Sequence, residues 1–343
     1  MKKNKMMRIA SILMVATLIT TCAISGTFAK YVTKAEGSDS ARVAKWGILV
    51  SVSGGELFDE KYPAKDEAYL KAEGEYSVES SVEGEKVVAP GTSSDEIKST
   101  LTATVKGTPE VATRYTLEGK GIKDVVLKKG TYTDYTHLVY TKGTPATAEA
   151  AATEGSYGYT DTFELKADYA PVKWNLVIEG KGKTINVADA LYESIPAENI
   201  AKAEALGLTK EGCSFFDAIA ILKQVAGNED YVDIVEAALG QIVSGGRNFT
   251  LEANKEAGTF KLGYDFDANK EMDFKFTLSW EWAFEKLVQA EAAEGADAPA
   301  PTADPIVDAA DTYLGNVAAG VVTDQNANTT ISATLVATAT QID

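Results

Sequence analysis

The stretch Phe276-Thr277-Leu278-Ser279-Trp280-Glu281-Trp282-Ala283-Phe284 decides how the rest of this chain is read. Large apolar side chains stand at every second position, with Thr, Ser, Glu and Ala between them. Successive side chains of a strand point to opposite faces of the sheet. Phe276, Leu278, Trp280, Trp282 and Phe284 therefore share one face, and that face is buried. The two tryptophans are read as core residues, because such a stripe is far more often packed inside than displayed as a ligand platform.

The same alternation recurs on both sides of this segment. In Lys173-Trp174-Asn175-Leu176-Val177-Ile178 the residues Trp174, Leu176 and Ile178 fall on one face. After the turn Pro90-Gly91-Thr92, Leu101, Ala103 and Val105 alternate with Thr102 and Thr104. Further strands are predicted at 48–52, 114–118, 125–127, 138–141, 163–165, 248–253, 259–264 and 330–336. Residues 56–85 are acidic without a clear period and read as a long loop or a short edge hairpin. The Ala, Glu and Pro stretch 291–305 reads as a solvated loop, followed by a short segment at 311–315.

Between about 186 and 246 the pattern becomes helical, in four capped segments. Asn186 can cap a helix over 187–193, and Pro196 suits the first turn of a helix that ends at Gly207. Ser214 with Asp217 resembles a capping box, and Asn228 can cap a helix whose stripe is Val232, Val235, Leu239 and Ile242. Short strands interrupted by one helical block predict a mainly β fold, a β-sandwich with a helical insertion, and no alternating βαβ sheet.

The N-terminus carries Lys2, Lys3, Lys5 and Arg8, then apolar sequence from Ile9 through Phe28, with no acidic residue before Glu36. That order is a secretory signal over 1–29, with Thr27 and Ala29 at the positions a signal peptidase reads and Lys30 as the new terminus. An uncut membrane anchor and lipid attachment at Cys22 are the competing readings. Removal of residues 1–29 leaves 29 basic against 50 acidic residues, a net charge of −21. A chain so acidic is repelled by phosphate backbones, so nucleic acid is not an expected partner. Only Cys213 would remain, so no internal disulfide is expected.

The chain has one histidine, His137, which cannot build a His-Glu-x-x-His zinc site, and no Gly-x-Ser-x-Gly elbow is present. A Cys213–His137 pair is the one nucleophile arrangement on paper, against a structural thiol. Asp265-Phe266-Asp267-Ala268-Asn269 echoes the start of a calcium loop, but Lys270 stands where glycine is needed and Phe276 where glutamate is needed. No catalytic residue, metal or cofactor is assigned, and no enzymatic activity is expected.

Gly26-Thr27-Phe28-Ala29-Lys30-Tyr31, a polar stretch, and then Trp46-Gly47-Ile48-Leu49-Val50 resemble the TasA and camelysin family of exported bacterial matrix proteins. Ala89-Pro90-Gly91-Thr92 and the strand at 101–105 running into Gly107-Thr108-Pro109-Glu110-Val111 extend the likeness, which is best over residues 9–118. The resemblance implies a jelly-roll-like sandwich over 46–343 that polymerises into extracellular biofilm fibres, with a dedicated signal peptidase as its partner during export. It also implies matrix or cell-wall components as neighbours. Some relatives carry a metallopeptidase label, for which the single histidine offers no chemistry.

On this reading cleavage frees a leader, residues 30–45, in which Lys30, Tyr31 and Val32 are the candidate assembly residues. An extended leader can add a strand to an open sheet edge of a neighbouring subunit. The alternatives are a cell-surface adhesin or glycan-binding module, favoured if exposed aromatics cluster on one face, and a secreted metallopeptidase.

Overall fold

The computed structural model describes residues 44–54, 57–66, 75–95, 97–144, 153–210, 213–243, 245–283, 287–288 and 302–342. Nine strands build two antiparallel sheets. They are β1 (Ile48–Gly54), β2 (Leu101–Gly107), β3 (Thr113–Lys123), β4 (Val172–Gly180), β5 (Lys183–Asn186), β6 (Gly246–Asn254), β7 (Thr259–Phe266), β8 (Met272–Trp282) and β9 (Ser332–Gln341). The first sheet runs β1-β2-β8-β4-β5 and the second β6-β7-β3-β9. The chain changes sheet at β2–β3, β3–β4, β5–β6, β7–β8 and β8–β9, an alternation that makes the sandwich jelly-roll-like.

The central strand β8 explains the core. Trp280 lies opposite Trp174 on β4, Leu278 opposite Leu176, and Phe276 opposite Ile178. On its other side small Ala103 of β2 faces Phe276, and Val105 faces Phe274. These residues form one buried face, against which β3 and β7 set Tyr115, Leu117, Leu262, Tyr264 and Phe266. The two layers meet where the Tyr115 ring stacks on Phe276, with centroids 5.2 Å apart and planes 15° from parallel. Buried indoles need a partner for N–H. Trp280 Nε1 donates to the Leu57 carbonyl at 2.7 Å, and Trp174 Nε1 donates to Asp124.

Three helices connect β5 to β6. The first, α1 (Val187–Glu193), starts at Asn186, whose side chain accepts from the Ala188 N–H at 2.9 Å. In α2 (Ala197–Ala205) Pro196 is the cap itself rather than a first-turn residue. The two later predicted segments both form, as two helices that meet at Gly227, which adopts φ 74° and ψ 176°; together they are labelled α3 (Phe215–Gly240). No side chain but hydrogen is comfortable there, so the chain changes direction before Asn228. The stripe differs from expectation at one position. Val235, Leu239 and Ile242 are buried, but Val232 is exposed and Tyr231 and Ile234 take the inner face. The Ser214–Asp217 capping box does not form either: the Ser214 side chain makes no cap hydrogen bond, and the Asp217 carboxylate accepts from Lys255 Nζ at 2.8 Å.

These helices lie against both sheets. α1 packs on β4 and β5, and α3 packs on β6 and β4. Phe215 meets Phe260 of β7 edge to face at 5.1 Å, and the Tyr231 hydroxyl donates to the Leu251 carbonyl at 2.7 Å. One side of the sandwich is thereby closed.

Elsewhere the acidic region 56–85 contains a hairpin, Lys61–Asp66 with Glu75–Glu79. The segment at 311–315 belongs to a full helix, α4 (Pro305–Ala318), capped by Asp304 with proline at its first position. Its Tyr313 packs on Tyr132 of the hairpin Gly130–Thr133/Thr162–Leu165, with centroids 4.9 Å apart. Among the described residues no helix is long and apolar enough to cross a membrane.

Candidate functional site

Two packed sheets have four edges, and an edge strand carries a row of unpaired N–H and C=O groups that invite another chain. The four are treated differently here. β5 is four residues long, begins with Lys183 and adjoins α1. β6 carries Arg247 and Glu252, has a bulge between Arg247 and Thr250 with Asn248 at φ 52°, and lies under α3. Shortness, charge, a bulge and a covering helix are the devices that block edge pairing.

β1 and β9 have almost none of them. Ile48–Gly54 reads ILVSVSG and Ser332–Gln341 reads SATLVATATQ, without a charge or a proline in either. Among the described residues each is hydrogen-bonded on one side only, β1 to β2 and β9 to β3. The two edges approach each other, one from each sheet, on the side away from the helices. β1 exposes Leu49 (66%) and Val52 (43%), and β9 exposes Thr334, Thr338 and Thr340. A bulge between Ser332 and Thr334 marks the start of β9, and the eight residues after it pair without interruption. At its end the Gln341 side-chain carbonyl is buried with no partner among the described residues.

The chain enters β1 at a fixed point. Lys45 N–H donates to Glu110 Oε2 at 2.8 Å, and Glu110 N–H donates to the Lys45 carbonyl at 2.9 Å. Gly47 then turns at φ 54° and passes close to Gly107, where a Cβ would stand 2.1 Å from the Gly47 carbonyl oxygen. Lys45 is thereby held beside Glu110, at the start of an open edge.

The predicted cleavage and assembly residues Ala29, Lys30, Tyr31 and Val32 lie outside the described residues, as does Phe284. Trp174, Phe276, Leu278, Trp280 and Trp282 are buried on the inner face of the first sheet. His137 is exposed on a loop with Nδ1 at 2.7 Å from Thr136 Oγ1 and 3.5 Å from Asp134. Cys213 is half-buried just before α3 and donates its thiol hydrogen to the Gly207 carbonyl at 3.0 Å.

The aspartates that echo a calcium loop have other work. Asp265 ends β7, almost fully buried, and takes a bidentate contact from Arg114 of β3 at 2.6 and 2.8 Å and another from Asn248 Nδ2 at 2.9 Å. Burial pushes its carboxyl up, but the Arg114 and Asn248 hydrogen bonds outweigh this and hold it below the usual carboxylate range. Asp267 pairs with Arg247 at 2.7 Å. The pair and its neighbours clamp β3, β6 and β7 together at one end of the second sheet.

The clefts hold no reactive constellation among the described residues. A cleft of about 520 Å³ between the β3–β4 region and the turn after β6 includes Asp124, Lys128, Asp168 and Lys255. Burial raises the Asp124 carboxyl, and the Trp174 indole donates to it; Lys128 pairs with Asp168 at 2.8 Å, and Lys255 with Asp217. These charges answer one another rather than converge on a vacant point. No group of three or more His, Cys, Asp or Glu side chains converges among the described residues.

No family model, no curated protein and no solved structure matches this chain.

Proposed function

We propose that the chain is an exported structural subunit that polymerises into extracellular matrix fibres, with the leader of one copy pairing against the open β1/β9 side of the next. The observation that carries this reading is the contrast between edges: the β5/β6 side is covered and charged, while the adjoining β1 and β9 edges are uncharged and free of proline. Unprotected edges on a very acidic, otherwise polar chain are places where pairing is favoured rather than resisted.

The leader fits the role in length and position. Residues 30–43, fully extended, would reach at most about 50 Å, and a ten-residue strand such as β9 is roughly 33 Å long. Lys45 lies beside its own β1, and a leader that paired with the next copy's edge would make a head-to-tail contact, the kind that can propagate as a filament. Tyr31 and Val32 would supply apolar side chains, each burial worth roughly 1.5–3 kcal/mol against the entropy of ordering the segment. The signal-like N-terminus and the TasA-like features of residues 9–118 support the same reading.

The test compares a chain that starts at Lys30 with one that starts at Ala41. Both are expected to fold with strand-rich circular dichroism, and only the longer is expected to form filaments by negative-stain imaging. Equal polymerisation would reject the leader as the donor.

A second reading, a glycan-binding adhesin, is favoured by one observation: Leu138, Tyr140, Tyr157 and Tyr159 are all exposed on and beside one small hairpin. Binding of neutral polysaccharide that is lost on replacing these tyrosines by alanine would support it, and no binding would remove it.

A further inference from the structure

We infer that Tyr140 and Tyr157 form an oxidative cross-linking site, which a one-electron oxidant of the haem-peroxidase and hydrogen-peroxide class joins ring to ring as dityrosine. The inference stands on local geometry and does not depend on filament formation.

The two residues face each other directly across the antiparallel pair Val139–Thr141 and Ser156–Gly158. Opposite residues in such a pair place their side chains on one face. The ring centroids are 4.9 Å apart with planes at 46°. Gly155 lets the Tyr140 ring lie across the partner strand, since a Cβ there would stand 2.1 Å from the Tyr140 hydroxyl oxygen. Both rings are open to a reagent, at 54% and 70% exposure, and neither hydroxyl has a hydrogen-bond partner among the described residues.

Other tyrosines are less available. Tyr132, Tyr169, Tyr231 and Tyr313 donate their hydroxyls to a carbonyl or a carboxylate. Tyr115 and Tyr264 are sealed inside the sandwich. Tyr135 and Tyr159 make a neighbouring ring pair at 5.0 Å, but Tyr135 is half-buried and also packs against Tyr313.

The chemistry balances. The oxidant removes one hydrogen atom, an electron and a proton, from each phenol, leaving two phenoxyl radicals with spin density on the ring carbons beside the hydroxyl. Two such carbons combine in one new C–C bond, and each ring regains aromaticity as the hydrogen on its bonded carbon moves to its oxygen. The protein loses two hydrogens in all, and one hydrogen peroxide is reduced to two waters. Partners held side by side react at an effective concentration far above that of a second copy, so the bond forms within the chain. The link would staple a hairpin of three-residue strands, a size marginal by itself, in a chain whose described residues contain one free cysteine and no disulfide.

The purified chain, kept dilute, is treated with a haem peroxidase and hydrogen peroxide and followed by dityrosine fluorescence, intact mass and tryptic mapping. The expected product is a monomer lighter by two hydrogens in which peptides 130–142 and 143–166 are joined through Tyr140 and Tyr157. Tyr157→Phe and Tyr140→Phe, both exposed changes that keep the ring, should each abolish it, and Tyr159→Phe should not. A link through Tyr135 and Tyr159, cross-linked dimers as the main product, an undiminished yield in Tyr157→Phe, or no dityrosine would each overturn the assignment.

Discussion

On the side of the sandwich where β5 and β6 end the sheets, α1 and α3 lie over the strands with α2 packed on α3, Lys183 and Arg247 add charge, and a bulge bends β6. On the other side β1 and β9 come together with nothing but Ser, Thr, Ala and aliphatic residues along their length, apart from Gly54 and Gln341 at their ends. Both sides rest on the same core, so the difference is not one of stability. It concerns what each edge admits: the closed side satisfies its edges from within the chain, and the open side leaves backbone groups for water or for another strand. One open side would also give the proposed self-association a direction.

The largest expected effect concerns the core that both sides share. Phe276→Ala removes a ring with no exposed surface that stacks on Tyr115, and is expected to cost about 3–5 kcal/mol in denaturant unfolding. If the two sides rest on one core, both lose stability in a single transition.

The next effect belongs to the end of the second sheet. Arg114→Ala leaves the buried Asp265 carboxylate without its bidentate partner and is expected to cost about 3 kcal/mol near neutral pH. The sign with pH follows from the depressed Asp265 pKa. The clamp's stabilisation is present above the unfolded carboxylate range and is lost as pH falls through the lower folded value. Urea titrations at pH 7 and in acid should therefore show the gap between parent and variant narrowing as pH falls.

A smaller effect is expected where the closing helices begin. Asn186→Ala removes the side-chain acceptor for the Ala188 N–H, at a cost of about 1 kcal/mol by thermal unfolding. A loss confined to stability, with assembly unchanged, would separate the role of the closed side from that proposed for the open one.

Much of this architecture was legible in the sequence because period-two alternation reports directly which residues share a face. Phe276, Leu278, Trp280 and Trp282 on β8 and Trp174 on β4 follow that rule, and so does the change to helical spacing at Asn186. What was not legible depends on tertiary position. Val232 fits a helical stripe by spacing, yet the break at Gly227 rotates the second half of α3 and brings Tyr231 and Ile234 inward instead. Ser214 and Asp217 have cap chemistry, but Lys255, 38 residues away, competes for the carboxylate. The short strands Gly130–Thr133 and Ser156–Gly158 carry too few residues for a period to register. The candidate site was hidden for the same reason: residues 330–336 read as a strand, but whether a strand is central or at an edge depends on neighbours far away in sequence. The absence of charge through β9 was the one signal available.

The edges themselves give the smallest effect on folding. Thr338→Lys with Thr340→Lys places two charges on exposed positions of β9 and should change stability by no more than about 0.5 kcal/mol. Thr184→Lys places one charge on an exposed position of β5, the edge already protected. The most direct measurement is therefore filament formation by the Lys30-start chain carrying either change, scored by negative-stain imaging and sedimentation at matched concentration. The β9 variant is predicted to stay folded and monomeric while the β5 variant polymerises like the parent. Filaments from the β9 variant equal to those of the parent, or a block caused by the β5 change alone, would contradict it.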